Sequence, residues 1–146
     1  MLILFFTHYS FLHQGAPCNP SSILFNLGPA SIPMFFYALR HSMQKMSEKG
    51  RYCCLIFDEM SIRENVRFNQ QFNCIEGSED LGSQGRTCNI ANHALLFMVR
   101  GLHRKCKQSV AYYLSRGCTK AERLVQFLKE VLHASQNIGL HVVATV

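Results

Sequence analysis

Asp58 and Glu59 stand side by side where the apolar run "YCCLIF" (52–57) ends. A carboxylate at the end of a buried strand lies against the sheet yet opens onto a crevice, where α/β folds place ligands. Asp is short and stiff there, so it can hold an oxygen-seeking cation such as Mg2+ in fixed geometry. Successive strand residues point to opposite faces, so both acids cannot serve one site unless the strand bulges. The other reading is a strand that simply ends in solvated acids.

A second group suits phosphate. Arg100, Arg104, Lys105 and Lys107 crowd the stretch "RGLHRKCK", and phosphate contacts there would give salt-sensitive, sequence-blind DNA binding. A solvated turn is the alternative. The remaining candidates carry less. His93, His103, His133 and His141 show no HExxH or other ligand spacing and read as packing or surface residues. The seven cysteines include no CxxC and no zinc-finger spacing with His. Cys53 and Cys54 sit inside the apolar run, where cysteine behaves as a small hydrophobe. That argues against a disulfide framework and for a reducing, intracellular setting. Cys88 and Ser61 have no base nearby along the chain to act as a nucleophile's partner.

The elements that must position these groups follow from periodicity. Residues 1–30 read as an irregular leader that need not be native to the domain, in which Pro17, Pro20 and Pro29 break any element. Residues 31–47 hold a short helix: Phe35, Phe36, Leu39, Met43 and Met46 recur at helical spacing over Ile32 to Met46. The core spans 48–146. Its first strand, Tyr52 to Phe57, is continuously apolar and should be central and covered on both faces. Val66 to Cys74 alternates and predicts one half-exposed strand, while "EGSEDLGSQG" reads as a loop. Ala94–Val99 and Val110–Leu114 should pair as an antiparallel hairpin. "TKAE" is a capping box, with Thr119 as cap and Glu122 reaching back. It opens a helix whose apolar face is Ala121, Leu124, Val125, Leu128, Val131 and Leu132, with Glu130 on the solvent side. Gly139 closes that helix, and Leu140–Val146 is a further strand.

A 146-residue chain that is 48% hydrophobic and 16% charged is long and apolar enough to bury a core. Its net charge of +6 is uneven. Residues 51–99 carry four cations against six acids, and residues 100–146 carry eight cations against two. An acidic middle and a basic end suit a cation site beside a phosphate-facing surface, although ordinary surface charge gives the same counts. The opening apolar patch, Leu2 to Phe6, is too short for a secretory signal and has no basic residue before it. No stretch approaches the ~20 apolar residues that span a bilayer, so secretion and membrane anchoring are not expected.

The segments "CCLIFDEMSIRENVRFN", "ANHALLFMVRGLHRK", "VAYYLSRG" and "LVQFLKEVL…GLHVVATV" occur in colinear order from about Glu48 to Val146. Together they resemble the RNase H-like catalytic core of P-element-type transposases, the family that includes the THAP-domain transposases. The resemblance implies an α/β fold: a truncated RNase H-like mixed sheet with one packed helix, preceded by a short helix. It also implies cut-and-paste DNA transposition, with DNA as partner and Mg2+ as cofactor. Three acids hold two divalent ions ~4 Å apart, which clamp the entering and leaving oxygens of a phosphodiester. The family's first acid falls on Asp58, giving it a catalytic, metal-ligating role.

The departures from the pattern are specific. The family's second Asp lies just after the strand that follows the helix, and here that strand, "LHVVATV", ends the sequence. The distal Glu has no counterpart, and Glu130 cannot replace it. No Cys/His quartet supplies the family's amino-terminal zinc finger. Relatives commonly carry Trp near Cys106, and this chain has no Trp. The expectation is a truncated or domesticated transposase fragment that binds Mg2+ weakly or not at all and is inactive alone. The alternative is a non-enzymatic, basic nucleic-acid-binding module derived from a transposon.

Overall fold

The computed structural model describes residues 36, 39–41, 43–44, 46–70, 73–103 and 106–146. The start of the helix expected over Ile32 to Met46 lies outside these residues. Phe36, Leu39 and Met43 are helical and buried, whereas Met46 has already left the helix.

The strands are β1 (Tyr52–Ser61), β2 (Arg67–Asn69), β3 (Cys74–Glu76), β4 (Ser78–Asp80), β5 (Arg86–Ile90), β6 (His93–Gly101), β7 (Lys107–Ser115) and β8 (His141–Thr145), with the helix α1 (Ala121–Asn137) between β7 and β8. Six of them form one mixed sheet in the order β5-β4-β7-β6-β1-β8. β6 and β7 pair antiparallel as the expected hairpin, and β1 pairs antiparallel with β6. β8 returns parallel to β1, which requires a crossover, and α1 supplies it.

Alternation sorts the sheet into two faces. Cys53 and Leu55 on β1 and Leu95, Phe97 and Val99 on β6 are buried in one cluster with Phe127 and Val131 of α1. The ring of Tyr113 stacks on Phe127 with centroids 3.8 Å apart and meets the edge of Phe97 at 5.8 Å. Each such aromatic pair adds about 0.5–1.5 kcal/mol beyond its buried area. The opposite face, with Cys54, Ile56, Leu96 and Met98, is only half-buried. The strand expected to be central and covered on both faces is interior but next to the edge strand β8, and is well covered on one face, where α1 packs.

α1 ends where expected. Gly139 adopts φ +87°, its N–H reaches the Gln136 carbonyl, and the Leu140 N–H reaches that of Ser135. This paired closure needs a left-handed residue, which glycine supplies without strain. Its start differs from expectation. Lys120 is the N-cap, no side chain caps it, and Thr119 is engaged elsewhere.

Two other expectations are corrected. The single strand expected over Val66 to Cys74 is a separate hairpin, β2 and β3, closed by a turn in which Asn73 takes φ +48°. Alternating polarity was present there, but the amide-rich centre favours reversal, since Asn tolerates the left-handed region. The supposed loop at 76–85 contains β4, and β5 follows it. β4 buries two acids: Glu79 is 6% and Asp80 2% exposed. Asp80 is bonded to Arg86 at 2.8 Å, and Glu79 accepts from Thr87, Asn89 and the Arg116 N–H. Burial pushes the Glu79 carboxyl up, but those bonds and the Arg123 charge outweigh it and hold the group below its ordinary value.

A carboxyl depressed in the folded state contributes stability that is full above its unfolded value and lost as pH falls through the folded one. The melting-temperature gap between the native chain and Glu79→Gln is therefore expected to be constant at neutral pH. It should narrow as the pH drops below 4.5, the unperturbed value, when both are followed by circular dichroism.

Candidate functional site

Asp58 lies on β1 opposite Leu96 of β6 and is exposed on the sheet face that α1 leaves uncovered. Its Oδ1 accepts the Glu59 N–H at 2.9 Å, which steadies the carboxylate. The ladder through this stretch is unbroken, with Phe57, Asp58 and Glu59 paired in turn to Phe97, Leu96 and Leu95. No bulge turns the two acids to one side.

Glu59 points to the other face and has a structural task. Its Oε1 accepts both the backbone N–H of Thr119, at 2.8 Å, and the Thr119 hydroxyl, at 2.6 Å. The hydroxyl that the capping-box pattern assigned to α1 is thus taken by a strand acid sixty positions away. The entry to the helix is pinned to the sheet instead of being capped from within.

β8 runs beside this site. Its parallel ladder continues past the strand proper, since Val146 N–H donates to the Leu55 carbonyl and Val146 oxygen accepts from Phe57 N–H, both at 2.9 Å. The end of β8 therefore lies against the residue preceding Asp58.

The basic group is partly placed. Arg100 and Lys107 are exposed and directly opposite one another at the far end of the β6–β7 ladder. Like charges facing each other across a ladder are unfavourable unless an anion relieves them. Register puts Arg100 on the same face as Asp58, because Cys54 pairs with Arg100 as Asp58 pairs with Leu96. Arg104 and Lys105 lie outside the described residues.

Other candidates shift. Glu130, expected on the solvent side of α1, is half-buried and accepts from the hydroxyls of Ser83 and Tyr113. Burial, then the Glu130 charge, pushes the Tyr113 hydroxyl well above its ordinary value. Ser61, which has no base near it in sequence, has its hydroxyl 3.4 Å from His93 Nε2. Sequence spacing could not have shown this contact, because β1 and β6 bring the two together. The roles of Glu59 and Thr119 were missed for the same reason.

The donor set tests the expected metal. Asp58 offers one carboxylate, Glu59 is turned away and occupied, and no group of three His, Cys, Asp or Glu among the described residues could hold an ion. These residues do not fit a two-ion centre. One carboxylate leaves nearly the whole Mg2+ shell to water.

With this geometry in hand, three comparisons bear on the chain. The family model TNP-like, RNase H N-terminal domain matches residues 29–146. A chain of the Drosophila P element transposase strand transfer complex superposes with a TM-score of 0.58 at 16% identity, over 90% of this chain and 26% of that one. That likeness is one of fold, and the sequence spans about a quarter of that chain's length. No curated protein matches.

The two acids should separate cleanly by stability. Asp58→Asn, at an exposed position, should change the unfolding free energy by less than about 0.5 kcal/mol. Glu59→Ala, which strands the Thr119 donors, should cost about 1.5–3 kcal/mol. Urea denaturation of the two variants checks this.

Proposed function

Because the chain belongs to the TNP-like, RNase H N-terminal domain family, we propose that it forms the opening part of a DNA transposase catalytic core, with Asp58 as the first of that core's metal ligands. The observation that carries this reading is the exposed placement of Asp58 beside the end of the parallel strand β8. A residue following Val146 in the same ladder would stand next to Asp58, so a second acid contributed from there would share its crevice. Asp58 then supplies one fixed oxygen donor, and Glu59 keeps the strand and the helix entry in register behind it.

The 146-residue polypeptide is catalytically incomplete in this account. In-line phosphoryl transfer depends on groups held in near-attack geometry, and one carboxylate cannot assemble that geometry. A magnesium ion, where a complete site holds it, would stabilise charge on the scissile phosphate. This chain's own contribution is to present Asp58 on a strand paired with both β6 and β8. DNA as partner and a nuclear setting belong to the same proposal, as does the division into a leader (1–30), a short helix (31–47) and the core (48–146).

A second reading is favoured by the shared face of Asp58, Arg100 and Lys107. On it, the chain binds nucleic acid through phosphate contacts and performs no chemistry. The two readings make a joint test with supercoiled plasmid. The purified chain with Mg2+ is expected to leave the plasmid intact. Binding should fall steeply with salt, survive Asp58→Asn, and lose about one unit of logarithmic salt slope when Arg100 or Lys107 is replaced by Ala. Metal-dependent nicking that disappears in Asp58→Ala would overturn the claim of incompleteness. Loss of salt-sensitive binding in Asp58→Asn would sink the second reading.

A further inference from the structure

We propose that Cys118 is a reactive thiol, with His93 as its base and Asn92 as the residue that orients the imidazole, and that it exchanges with small anionic disulfides of the glutathione type. The Cys118 Sγ lies 3.6 Å from His93 Nε2, and His93 Nδ1 lies 2.8 Å from Asn92 Oδ1. The same Asn92 oxygen accepts the Gly117 N–H at 2.7 Å. A backbone N–H can only donate, so the atom it meets is the amide oxygen, and the amide orientation is settled. An oxygen facing Nδ1 requires the proton on Nδ1. The Nε2 lone pair is then directed at the thiol, with the Ser61 hydroxyl as its other neighbour at 3.4 Å. Nucleophile, base and orienting amide in that sequence of contacts is the arrangement that activates a cysteine.

The surroundings select the reagent. Cys118 is exposed and lines a small cavity of about 90 Å3 together with Arg116, Lys120 and Arg123. Leu81 and Phe127 form its apolar part, and the buried Glu79, bonded to β5 and to the Arg116 N–H, pairs with Arg123 at 3.7 Å. Exposed Arg116 and Lys120 would attract a disulfide bearing carboxylates and repel one bearing ammonium groups.

The step balances without a further reagent. Nε2 of His93 takes the thiol proton, and the Cys118 thiolate attacks one sulfur of the disulfide. A new sulfur–sulfur bond forms to Cys118 as the original one breaks. The departing thiolate takes the proton from the imidazolium, so Cys118 is oxidised and one half of the disulfide is reduced. Two other described thiols, Cys53 and Cys88, are set differently. Burial, and then the neighbouring Cys54 and Cys106, pushes the Cys53 thiol up to about 11, which suppresses the nucleophilic form. Cys88 is exposed, but no imidazole is bonded to it among the described residues.

The test needs neither DNA nor metal, so it stands apart from the transposase reading. The whole chain is treated with glutathione disulfide, and mixed-disulfide formation is followed at each cysteine by peptide mass spectrometry. Cys118 is expected to react at least about tenfold faster than Cys88, the internal reference. His93→Gln should bring Cys118 down to the Cys88 rate while Cys53 stays protected. Cystamine, a cationic disulfide, should lose most of the advantage at Cys118. Equal rates at Cys118 and Cys88 in the native chain overturn the proposal, and so does an unchanged Cys118 rate in a His93→Gln variant whose Cys53 is still protected. If the variant exposes Cys53 and has therefore unfolded, the native-chain ratio decides alone. Equal advantage with cystamine overturns the anionic selectivity.

Discussion

The two-residue period of β1 governs what this molecule can do. Asp58 and Glu59 are adjacent in sequence and divided in space, because the ladder to β6 passes through both without a bulge. One acid faces the open side of the sheet, and the other is drawn behind it to the two donors of Thr119. A charged acceptor holding two donors at 2.6–2.8 Å is too well satisfied to be recruited by an ion on the far face. The same alternation that presents one carboxylate therefore withdraws its neighbour.

Packing makes that division permanent. α1 lies on the Glu59 side, where Phe127 and Val131 join Leu55, Phe97 and Tyr113 in the core. Slipping β1 by one residue would turn its buried set outward and bring Asp58 against the helix. The exposed placement of Asp58 thus depends on the apolar residues before it, and on the Glu59–Thr119 tie at the entry to the helix. β8, delivered by the crossover, lies next to β1, and its ladder runs on to Val146 beside Phe57. Family membership and the P element fold likeness agree with this layout.

The parts legible in sequence were those carried by apolar periodicity. The run at 52–57, the hairpin strands, the amphipathic helix with Gly139 at its end and the returning strand all appear where their patterns place them. β4 and β5 were hidden because their stability comes from partnered charge. Glu79 and Asp80 are buried among Thr87, Asn89, Arg86 and the Arg116 N–H, and a segment of that composition reads as loop. Thr119 shows the limit of local motifs: the pattern for a capping box is present, yet a carboxylate from a distant strand takes both its hydroxyl and its backbone N–H. The contact of Cys118 with His93 joins the segment between β7 and α1 to the start of β6 and has no signature in residue spacing. Asp58 was legible as a candidate from its residue type and the apolar run before it, although β1 continues past it to Ser61, and the bonds that occupy Glu59 needed the fold.

The central claim is that one carboxylate, and not two, is available on the open face of β1. Carboxyl carbon chemical shifts recorded during a magnesium titration of the intact chain measure this directly. The account predicts that the Asp58 resonance moves gradually, without saturating at millimolar metal, while that of Glu59 stays with Thr119 and does not respond. Saturable movement of both resonances together, with two ions bound per chain, would contradict it.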